Sequence, residues 1–440
     1  MSARVKLARS ATVKLAKDAR VNLARNTRNV RGSTKQKLLP VMVWIFGGGF
    51  YVGSSDSTIY GPNYLLDQDV ILVSMNYRLG VLGFFTTGDS IVPGNMGLKD
   101  QALALKWVKE NIQLFGGDRN RVTLFGQSSA GACVNLHALS DLSQGLFNQY
   151  IIESGTAFTG WAYRNRNEFK PHIDKLAETV GCPAGSSKIL LKCLRGKSVD
   201  SLVSTFVDDL YDFSKLIWIP TDEIKSKNAF LSDSPINLIK KKKMKDVPSM
   251  SGTCVDDGLS TTLNFYLKPA DDAAIKKALD QYMTTTIQSF HKSENLPKMR
   301  NIVNSYYFKN PVLENKNKLL KSFTKFASDS RFKYPEYILL ENMATVMKNP
   351  FYAYSFGYRA DESLVSLNYG LKGNIGVTHS EEVIKPTSKL LSDQDLWQPY
   401  SKEKSFLQIG DLSNNNNPAV TLQHRYFAED MDFWKKNFPV

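Results

Sequence analysis

Residues 122–131, VTLFGQSSAG, decide the fold of this chain. Their first four residues form a short apolar run, which is typical of a strand buried on both faces of a sheet. Gly126-Gln127-Ser128 follows directly, and the sequence ACVNLHA at 132–138 favours a helix. A serine on a sharp turn between a strand and a helix is typical of a nucleophile elbow. We therefore predict an α/β fold that presents a serine nucleophile at this point.

The elbow pattern Gly-x-Ser-x-Gly is matched imperfectly, and two registers stay open. With Ser128 at the centre, Gly126 is in place, but Ala130 stands where the second glycine is expected. With Ser129 at the centre, Gly131 is in place, but Gln127 stands where the first glycine is expected. A third interpretation involves no catalysis, because two serines can also simply cap the start of the helix.

Other apolar runs, before and after residues 122–131, predict further strands of the same sheet. They lie at 41–46 (VMVWIF) and 70–75 (VILVSM), and later at 351–356 (FYAYSF) and 405–409 (SFLQI). Between the second of these and the run at 122, residues 100–114 place apolar side chains at helical spacing. The order strand, helix, strand predicts a crossover unit, and hence a central, mostly parallel sheet flanked by helices.

Three glycines follow the run at 41–46 without interruption. Gly47-Gly48-Gly49 offers backbone N–H groups that no side chain obstructs, as an oxyanion hole for a tetrahedral acyl intermediate requires. Taken alone, three glycines are equally consistent with a flexible turn. A strand with a glycine run, followed by a strand with a serine turn, indicates an acyl-transfer site more specifically than the three glycines alone.

A serine nucleophile needs a base and an orienting acid, which follow it in the order acid, then histidine, in folds with this elbow. Among His291, His379 and His424, we favour His379, because its sequence GNIGVTHSEE at 373–382 is a loop beyond a predicted strand. For the acid, the turn GTCVDDG at 252–258 carries paired carboxylates. The alternative for that turn is an Asx-type cap of the next helix.

The net charge of +14 over 440 residues is concentrated at one end of the chain. Residues 1–40 contain 11 Lys and Arg but one acidic residue, whereas 41–440 contain 45 basic and 41 acidic residues. An eight-residue repeat fills 3–26 (ARVKLARS, ATVKLAKD, ARVNLARN). We predict a basic, low-complexity, disordered leader at 1–37; a transit-peptide-like segment is the alternative. Because the repeat has no aromatic residue for base stacking, we expect no nucleic-acid partner.

Composition excludes several other classes of function. No apolar run reaches the length of about 18 residues that a transmembrane helix needs. Four cysteines without a Cys-x-x-Cys pair and only five histidines argue against a zinc site, and we expect neither metal nor cofactor. Cys182 and Cys193 lie close enough in sequence to close a small loop, or else remain reduced thiols.

Five stretches together resemble one family, the type-B carboxylesterases, which are cholinesterase-like serine esterases and include insect esterases. The stretches are VMVWIFGGGF at 41–50, NYRLG at 76–80, PGNMGLKDQ at 93–101, WVKENIQLFGGD at 107–118 and VTLFGQS at 122–128. The resemblance covers most of 38–440, which it implies is one α/β-hydrolase domain. It also implies hydrolysis of small-molecule carboxylic esters through an acyl-enzyme.

The resemblance assigns roles to three residues of the predicted triad. Ser128 matches the nucleophile and His379 the general base. Asp257 stands where the family usually has a glutamate as the orienting acid. The matching ion pair of Arg78 and Asp100 is structural rather than catalytic.

The resemblance also implies an oxyanion hole and a disulfide. Gly48, Gly49 and the N–H of Ser129 would bind the oxyanion, and Cys182 would pair with Cys193. Family habit points to secretion, whereas this sequence shows no signal peptide, so the localisation stays open.

Three departures from the family pattern support an alternative function. Ala130 replaces an elbow glycine, the family's first strands are not seen before Pro40, and a segment that usually follows the histidine is missing after residue 393. We therefore expect an N-terminally incomplete hydrolase. The alternative is a catalytically impaired homologue that acts by binding a ligand or a protein.

Overall fold

The computed structural model describes residues 21–25, 37–57, 60–63, 65–203, 216–267, 271–291, 293–309, 315–358, 375–384, 398–410 and 419–440. Within these residues nine strands form one sheet. Their bounds are β1 Val21–Arg25, β2 Leu39–Ile45, β3 Ile71–Met75, β4 Gly117–Gln127, β5 Gln149–Glu153, β6 Ser249–Cys254, β7 Phe351–Phe356, β8 Ser405–Ile409 and β9 Val420–His424.

The strands lie in the order β1-β3-β2-β4-β5-β6-β7-β8-β9. The first pair, β1 with β3, and the last pair, β8 with β9, are antiparallel. All other neighbouring strands in the described sheet are parallel, so the prediction of a mostly parallel sheet is confirmed. The five apolar runs that predicted strands correspond to β2, β3, β4, β7 and β8.

Fifteen α-helices occur in the described residues. They are α1 Gly80–Phe84, α2 Met96–Asn111, α3 Ser129–Leu139, α4 Lys170–Thr179, α5 Ser187–Leu194, α6 Val199–Val203, α7 Pro235–Lys240, α8 Leu259–Leu267, α9 Asp272–Gln288, α10 Leu296–Tyr307, α11 Lys316–Ser328, α12 Tyr334–Val346, α13 Glu381–Ile384, α14 Tyr400–Glu403 and α15 Ala428–Asn437. A π-helical turn, Asp329–Lys333, joins α11 to α12. Short 3₁₀ helices are Leu65–Asp67, Ile112–Phe115, Asp141–Ser143, Arg166–Phe169 and Ser293–Asn295.

The central strands form the core because both of their faces are covered. Val41, Val43, Val122, Leu124 and Ile152 are completely inaccessible to solvent. Burial of each such side chain contributes about 1.5–3 kcal/mol, which explains why these strands appear in the sequence as continuous apolar runs. A second cluster, of aliphatic and aromatic side chains, packs helices α9 to α12 against α15.

One part of the predicted leader is a strand. Val21–Arg25 pairs antiparallel with β3, from Val21 opposite Met75 to Arg25 opposite Ile71. In these five residues the repeat alternates apolar Val21 and Leu23 beside an edge of the sheet. Residues 1–20 and 26–36 lie outside the described residues, and the leader stays a prediction there.

Two structural predictions are confirmed. Cys182 and Cys193 form a disulfide, whereas Cys133 and Cys254 are buried free thiols. Arg78 contacts both carboxylate oxygens of the buried Asp100 at 2.8 Å. Among the described helices, none combines the length and apolar character needed to cross a bilayer.

Candidate active site

Ser128 lies at the turn between β4 and α3, with an unusual backbone conformation. Its φ of +61° is in the left-handed region, which non-glycine residues adopt at an energetic cost. Its N–H donates to the carbonyl of Glu153, which ties the turn to the end of β5. Ser129 is already the first residue of α3. This geometry supports Ser128 as the centre of the elbow.

Ala130, the departure from the elbow pattern, is accommodated by a glycine in the strand. Ala130 is completely buried in the first turn of α3. A Cβ at position 126 would lie 2.9 Å from the Ala130 Cβ, closer than such atoms approach in proteins. Because residue 126 is glycine, the Ala130 methyl group fits between helix and strand.

Sheet register brings the glycine run beside Ser128. Ile45 of β2 is opposite Gly126 of β4, so Gly47 and Ser128 both come two residues later. A Cβ at Gly47 would lie 2.6 Å from the backbone oxygen of Gln127 and 3.1 Å from the Ser128 Cβ, so only a glycine allows this approach. The backbone N–H groups of Gly48 and Gly49 donate no hydrogen bond to any described residue.

These donors suit a developing oxyanion. The N–H of Ser129 belongs to the first turn of α3, where helix geometry leaves it without an intrahelical acceptor. The positive end of the helix dipole also favours negative charge at this point. The turn at 47–49 and the start of α3 thus place backbone N–H groups next to Ser128, and donors of this kind are what an oxyanion hole requires.

Asp257 and His379 are 122 residues apart in sequence but form a direct contact. His379 Nδ1 lies 2.6 Å from Asp257 Oδ1. Asp257 is fully buried after β6, and its Oδ2 accepts hydrogen bonds from Ser154 Oγ at 3.0 Å and from Cys254 N at 2.9 Å. These bonds fix the carboxylate and orient the imidazole, and an Nδ1–H directed at Asp257 leaves the lone pair of the ring on Nε2.

The other two candidate histidines lie elsewhere. His291 Nε2 contacts the carbonyl of Asn437 near the C-terminus. His424 is exposed on β9, at the edge of the sheet. The structure therefore brings His379, and neither of these, to the acid turn.

The Gln127 side chain contacts His379 Nε2, the ring atom to which the hydroxyl of a serine nucleophile would donate. Its Nε2 lies 3.1 Å from His379 Nε2 and 3.3 Å from Nδ1. Ser128 Oγ makes no hydrogen bond to His379 or to any other described residue. Hydrogen bonds between catalytic groups are often long before substrate binds, and a turn of the Gln127 side chain would free Nε2.

Apolar side chains lie next to the imidazole of His379 and next to Gly49. The Phe332 ring, on the π-helical turn, packs against the imidazole with 4.8 Å between ring centroids, and Trp161 packs against Phe332. The methyl groups of Leu216 lie beside Gly49, 3.5 Å from where a Cβ of residue 49 would be. Phe332 and Leu216 have no local sequence pattern that marks them as part of a site.

Two other sequence predictions concern metal binding and the segment after residue 393. Among the described residues, no group of three or more His, Cys, Asp and Glu side chains could hold a metal ion. Residues 385–397, where the predicted missing segment falls, lie outside the described part of the chain.

Comparison with known proteins gives matches over most of the chain. The model of the family described as "Carboxylesterase family" matches residues 24–409. Juvenile hormone esterase of Tribolium castaneum is 35% identical over 364 residues, covering 79% of this chain and 62% of that protein. Esterase FE4 of Myzus persicae is 35% identical over 340 residues, covering 75% of this chain and 57% of that protein.

The chain thus spans about three fifths of the length of these curated relatives. A crystal structure of juvenile hormone esterase from Manduca sexta, with OTFP covalently attached, superimposes with a TM-score of 0.78. The match has 24% sequence identity and covers 96% of this chain and 84% of the other. It confirms the predicted α/β-hydrolase fold.

Proposed function

Because the chain belongs to the carboxylesterase family, we propose that it hydrolyses carboxylic esters through an acyl-enzyme intermediate. The observation that carries the proposal is the convergence of three distant segments. They are the strained turn at Ser128, the donors at Gly48 and Gly49, and the hydrogen bond between His379 and Asp257.

In the proposed mechanism His379 Nε2 takes the proton of Ser128 Oγ as the hydroxyl attacks the ester carbonyl. Asp257 accepts the Nδ1–H of His379 and stabilises the imidazolium that forms. The N–H groups of Gly48, Gly49 and Ser129 bind the oxyanion, each contributing about 3–4 kcal/mol. The imidazolium then protonates the departing alcohol, and a water activated by the same histidine hydrolyses the acyl-enzyme.

We further propose apolar esters as the substrate class. Phe332 packs against His379, Trp161 packs against Phe332, and Leu216 lies beside Gly49, and these apolar neighbours favour an apolar acyl or alcohol group over a charged one. Two of the proteins that this chain resembles are named juvenile hormone esterases.

Covalent labelling tests the nucleophile. We expect hydrolysis of short-chain nitrophenyl esters and stoichiometric labelling by an organophosphate, which peptide mass spectrometry locates at Ser128. Ser128→Ala removes both, whereas Ser57→Ala, at an exposed serine, changes neither. A label on Ser129 would correct the elbow register. An intact fold with no label and no turnover would instead favour the non-catalytic binding homologue.

A histidine replacement tests the base. We expect His379→Ala to lower kcat by at least about 10³-fold, because the serine loses its proton acceptor. The matched control is His424→Ala, whose imidazole is exposed at the sheet edge. Steady-state kinetics and circular dichroism separate lost chemistry from lost fold. Turnover that survives in His379→Ala would show that another group is the base.

A further inference from the structure

The donors of the oxyanion hole come from two elements that lie beyond the paired part of their strands. The register of β2 with β4 ends at Ile45 opposite Gly126. The glycine turn at 47–49 follows Ile45, and Ser129 follows Gly126 as the first residue of α3. An oxyanion hole acts only if its donors keep their positions relative to the nucleophile. Contacts outside the strand ladder therefore matter for holding the turn against the start of α3.

The segment at 76–80, NYRLG, holds the glycine turn at both of its ends. The hydroxyl of Tyr77 donates to the carbonyl of Phe46 at 2.8 Å, directly before the turn. The N–H of Gly80 donates to the carbonyl of Phe50 at 2.7 Å, directly after it. The Phe46 ring also stacks on the Tyr77 ring, with 4.7 Å between the centroids. One neighbouring segment thus fixes the backbone on either side of the three glycines.

Ser129 brings a second hydroxyl to the phenol of Tyr77. Its side chain is completely buried in the first turn of α3, and Ser129 Oγ makes no hydrogen bond to any described residue. Burial raises the pKa of Tyr77 well above its ordinary value of 10, whereas the hydroxyl of Ser129 lowers it. A neighbouring hydroxyl lowers the pKa of a phenol by donating to its oxygen. The Ser129 hydroxyl therefore lies on the acceptor side of Tyr77.

The protons of the two hydroxyls allow one arrangement that satisfies both. A tyrosine hydroxyl has one proton, and Tyr77 donates it to the Phe46 carbonyl, so the phenol oxygen can only accept a further bond. Ser129 Oγ also has one proton, and a buried hydroxyl without a partner is unfavourable. Donation from Ser129 to Tyr77 uses both. The bonds then run from α3 through the phenol to the residue before the glycine turn.

We propose that Tyr77 is a positioning residue of the oxyanion hole, which accepts a hydrogen bond from the Ser129 hydroxyl and donates one to the Phe46 carbonyl. One phenol then joins the two elements that supply the backbone donors. Tyr77 acts through these donors and not on the reacting atoms, and the N–H of Ser129 keeps its separate role. This inference rests on the proposed esterase function of the same site.

Three variants test the positioning role. Tyr77→Phe keeps the ring stack but removes both hydrogen bonds, and Ser129→Ala removes one hydroxyl while it keeps the backbone N–H. We expect kcat to fall about 10-fold in Tyr77→Phe and about threefold in Ser129→Ala, with KM little changed, because the donors stabilise the oxyanion more than the bound ester. Since Ser129 acts through Tyr77, the double variant should be no slower than Tyr77→Phe alone.

A trifluoromethyl ketone provides a second measurement of the oxyanion hole. Its carbonyl adds the serine oxygen reversibly, and the resulting hemiketal oxygen mimics the oxyanion of the transition state. The inhibition constant should rise in each variant by about the factor by which kcat falls. An unchanged kcat in a folded Tyr77→Phe would overturn the proposal. A double variant that is slower by the product of the two single factors would overturn it as well.

Tyr150 and Ser249 form a matched control pair. Ser249 Oγ also makes no hydrogen bond to any described residue, and its hydroxyl lowers the pKa of Tyr150, which burial raises. Both residues lie near the starts of β5 and β6, whereas Ser128 follows the end of β4. We expect Tyr150→Phe and Ser249→Ala to leave kcat and the inhibition constant unchanged. Losses in kcat equal to those of the Tyr77 and Ser129 variants would refute a positioning role.

Denaturant unfolding separates this inference from the proposed function, because it needs no turnover. Tyr77→Phe and Ser129→Ala should destabilise the fold less together than the sum of their separate effects, since both remove the same contact. Additive destabilisation would refute the hydrogen bond between the two hydroxyls. An inactive wild type that no organophosphate labels, but whose hydroxyls are coupled in unfolding, would disprove the esterase function and support the contact.

Discussion

At the scale of single residues, the conformation of the elbow depends on the absence of a side chain at Gly155. The Ser128 backbone holds its left-handed conformation against Gly155, which follows β5. A Cβ at position 155 would lie 2.1 Å from the carbonyl oxygen of Ser128 and 2.8 Å from its carbonyl carbon. Backbone atoms cannot move aside as a flexible side chain can, so position 155 tolerates no side chain.

We therefore expect Gly155→Ala to displace the elbow. Forcing a methyl group into this space should cost about 1–3 kcal/mol of unfolding free energy or more, and should reduce esterase kcat because Ser128 shifts. Gly185→Ala is the control, since a Cβ there meets nothing within 4 Å. Denaturant unfolding and nitrophenyl ester kinetics measure the two effects. Equal behaviour of both variants would contradict this account of the elbow.

At the scale of elements, the loop that carries His379 is fastened to the acid turn. Asp256 N donates to the carbonyl of Val377 at 3.2 Å, and Asp256 Oδ2 accepts from Val377 N at 3.0 Å. Of the paired carboxylates in this turn, Asp257 thus meets the imidazole, whereas Asp256 holds the backbone two residues before it. The adjacent aspartates have different partners because their side chains leave the turn in different directions.

Removing the side chain of Asp256 should loosen the histidine loop. In Asp256→Ala the buried Val377 N–H loses its acceptor, at a cost of about 1–3 kcal/mol. We expect a fall in kcat, while Asp69→Ala, at an exposed aspartate, has no effect. Hydrogen exchange at Val377 reports the loosening directly. Unchanged exchange protection and kcat would show that the two-point contact does not fix the loop.

At the scale of the whole molecule, the structure buries carboxyl groups next to the sheet. Burial raises the pKa of Glu153 on β5 and of Glu336 on α12 to about 8, from an ordinary value of 4.5. Between these values the folded state keeps protons that the unfolded chain has lost, so stability falls as pH rises. His137 acts in the opposite sense, because burial lowers its pKa to about 3 from 6.5. Above pH 6.5 the histidine is neutral in the unfolded chain as well, so His137 no longer offsets the carboxyl effect.

Neutralising Glu336 should remove part of this pH dependence. We expect Glu336→Gln to gain stability relative to the wild type between pH 6.5 and 8, by about 2 kcal/mol at 1.4 kcal/mol per pH unit. Glu110→Gln, exposed on α2, should show no such gain. Unfolding curves at several pH values measure the difference. A difference that does not grow with pH would mean that Glu336 ionises normally in the folded protein.

The apolar runs and the elbow were predictable because their signals are local. A strand covered on both faces needs consecutive apolar residues, and β2, β3 and β4 have them. Strands β5 and β6 were missed since QYIIE and SMSGTC mix polar with apolar residues, and the buried Ser251 and Thr253 satisfy no hydrophobic pattern. The edge strands β1 and β9 are short, antiparallel and charged or polar, so their neighbours determine them more than their own residues do.

The sequence by itself determined the fold class, the strands on either side of the elbow, and a short set of candidate residues. Tertiary structure decided which candidates meet: it placed His379 rather than His291 or His424 against Asp257, and it set Ser128 rather than Ser129 on the strained turn. It also brought Ser154 beside Asp257, although the two residues are 103 positions apart in the sequence. The physical reason is that propensity and burial act on neighbours in the chain, whereas a hydrogen bond depends on positions that only the packed sheet defines.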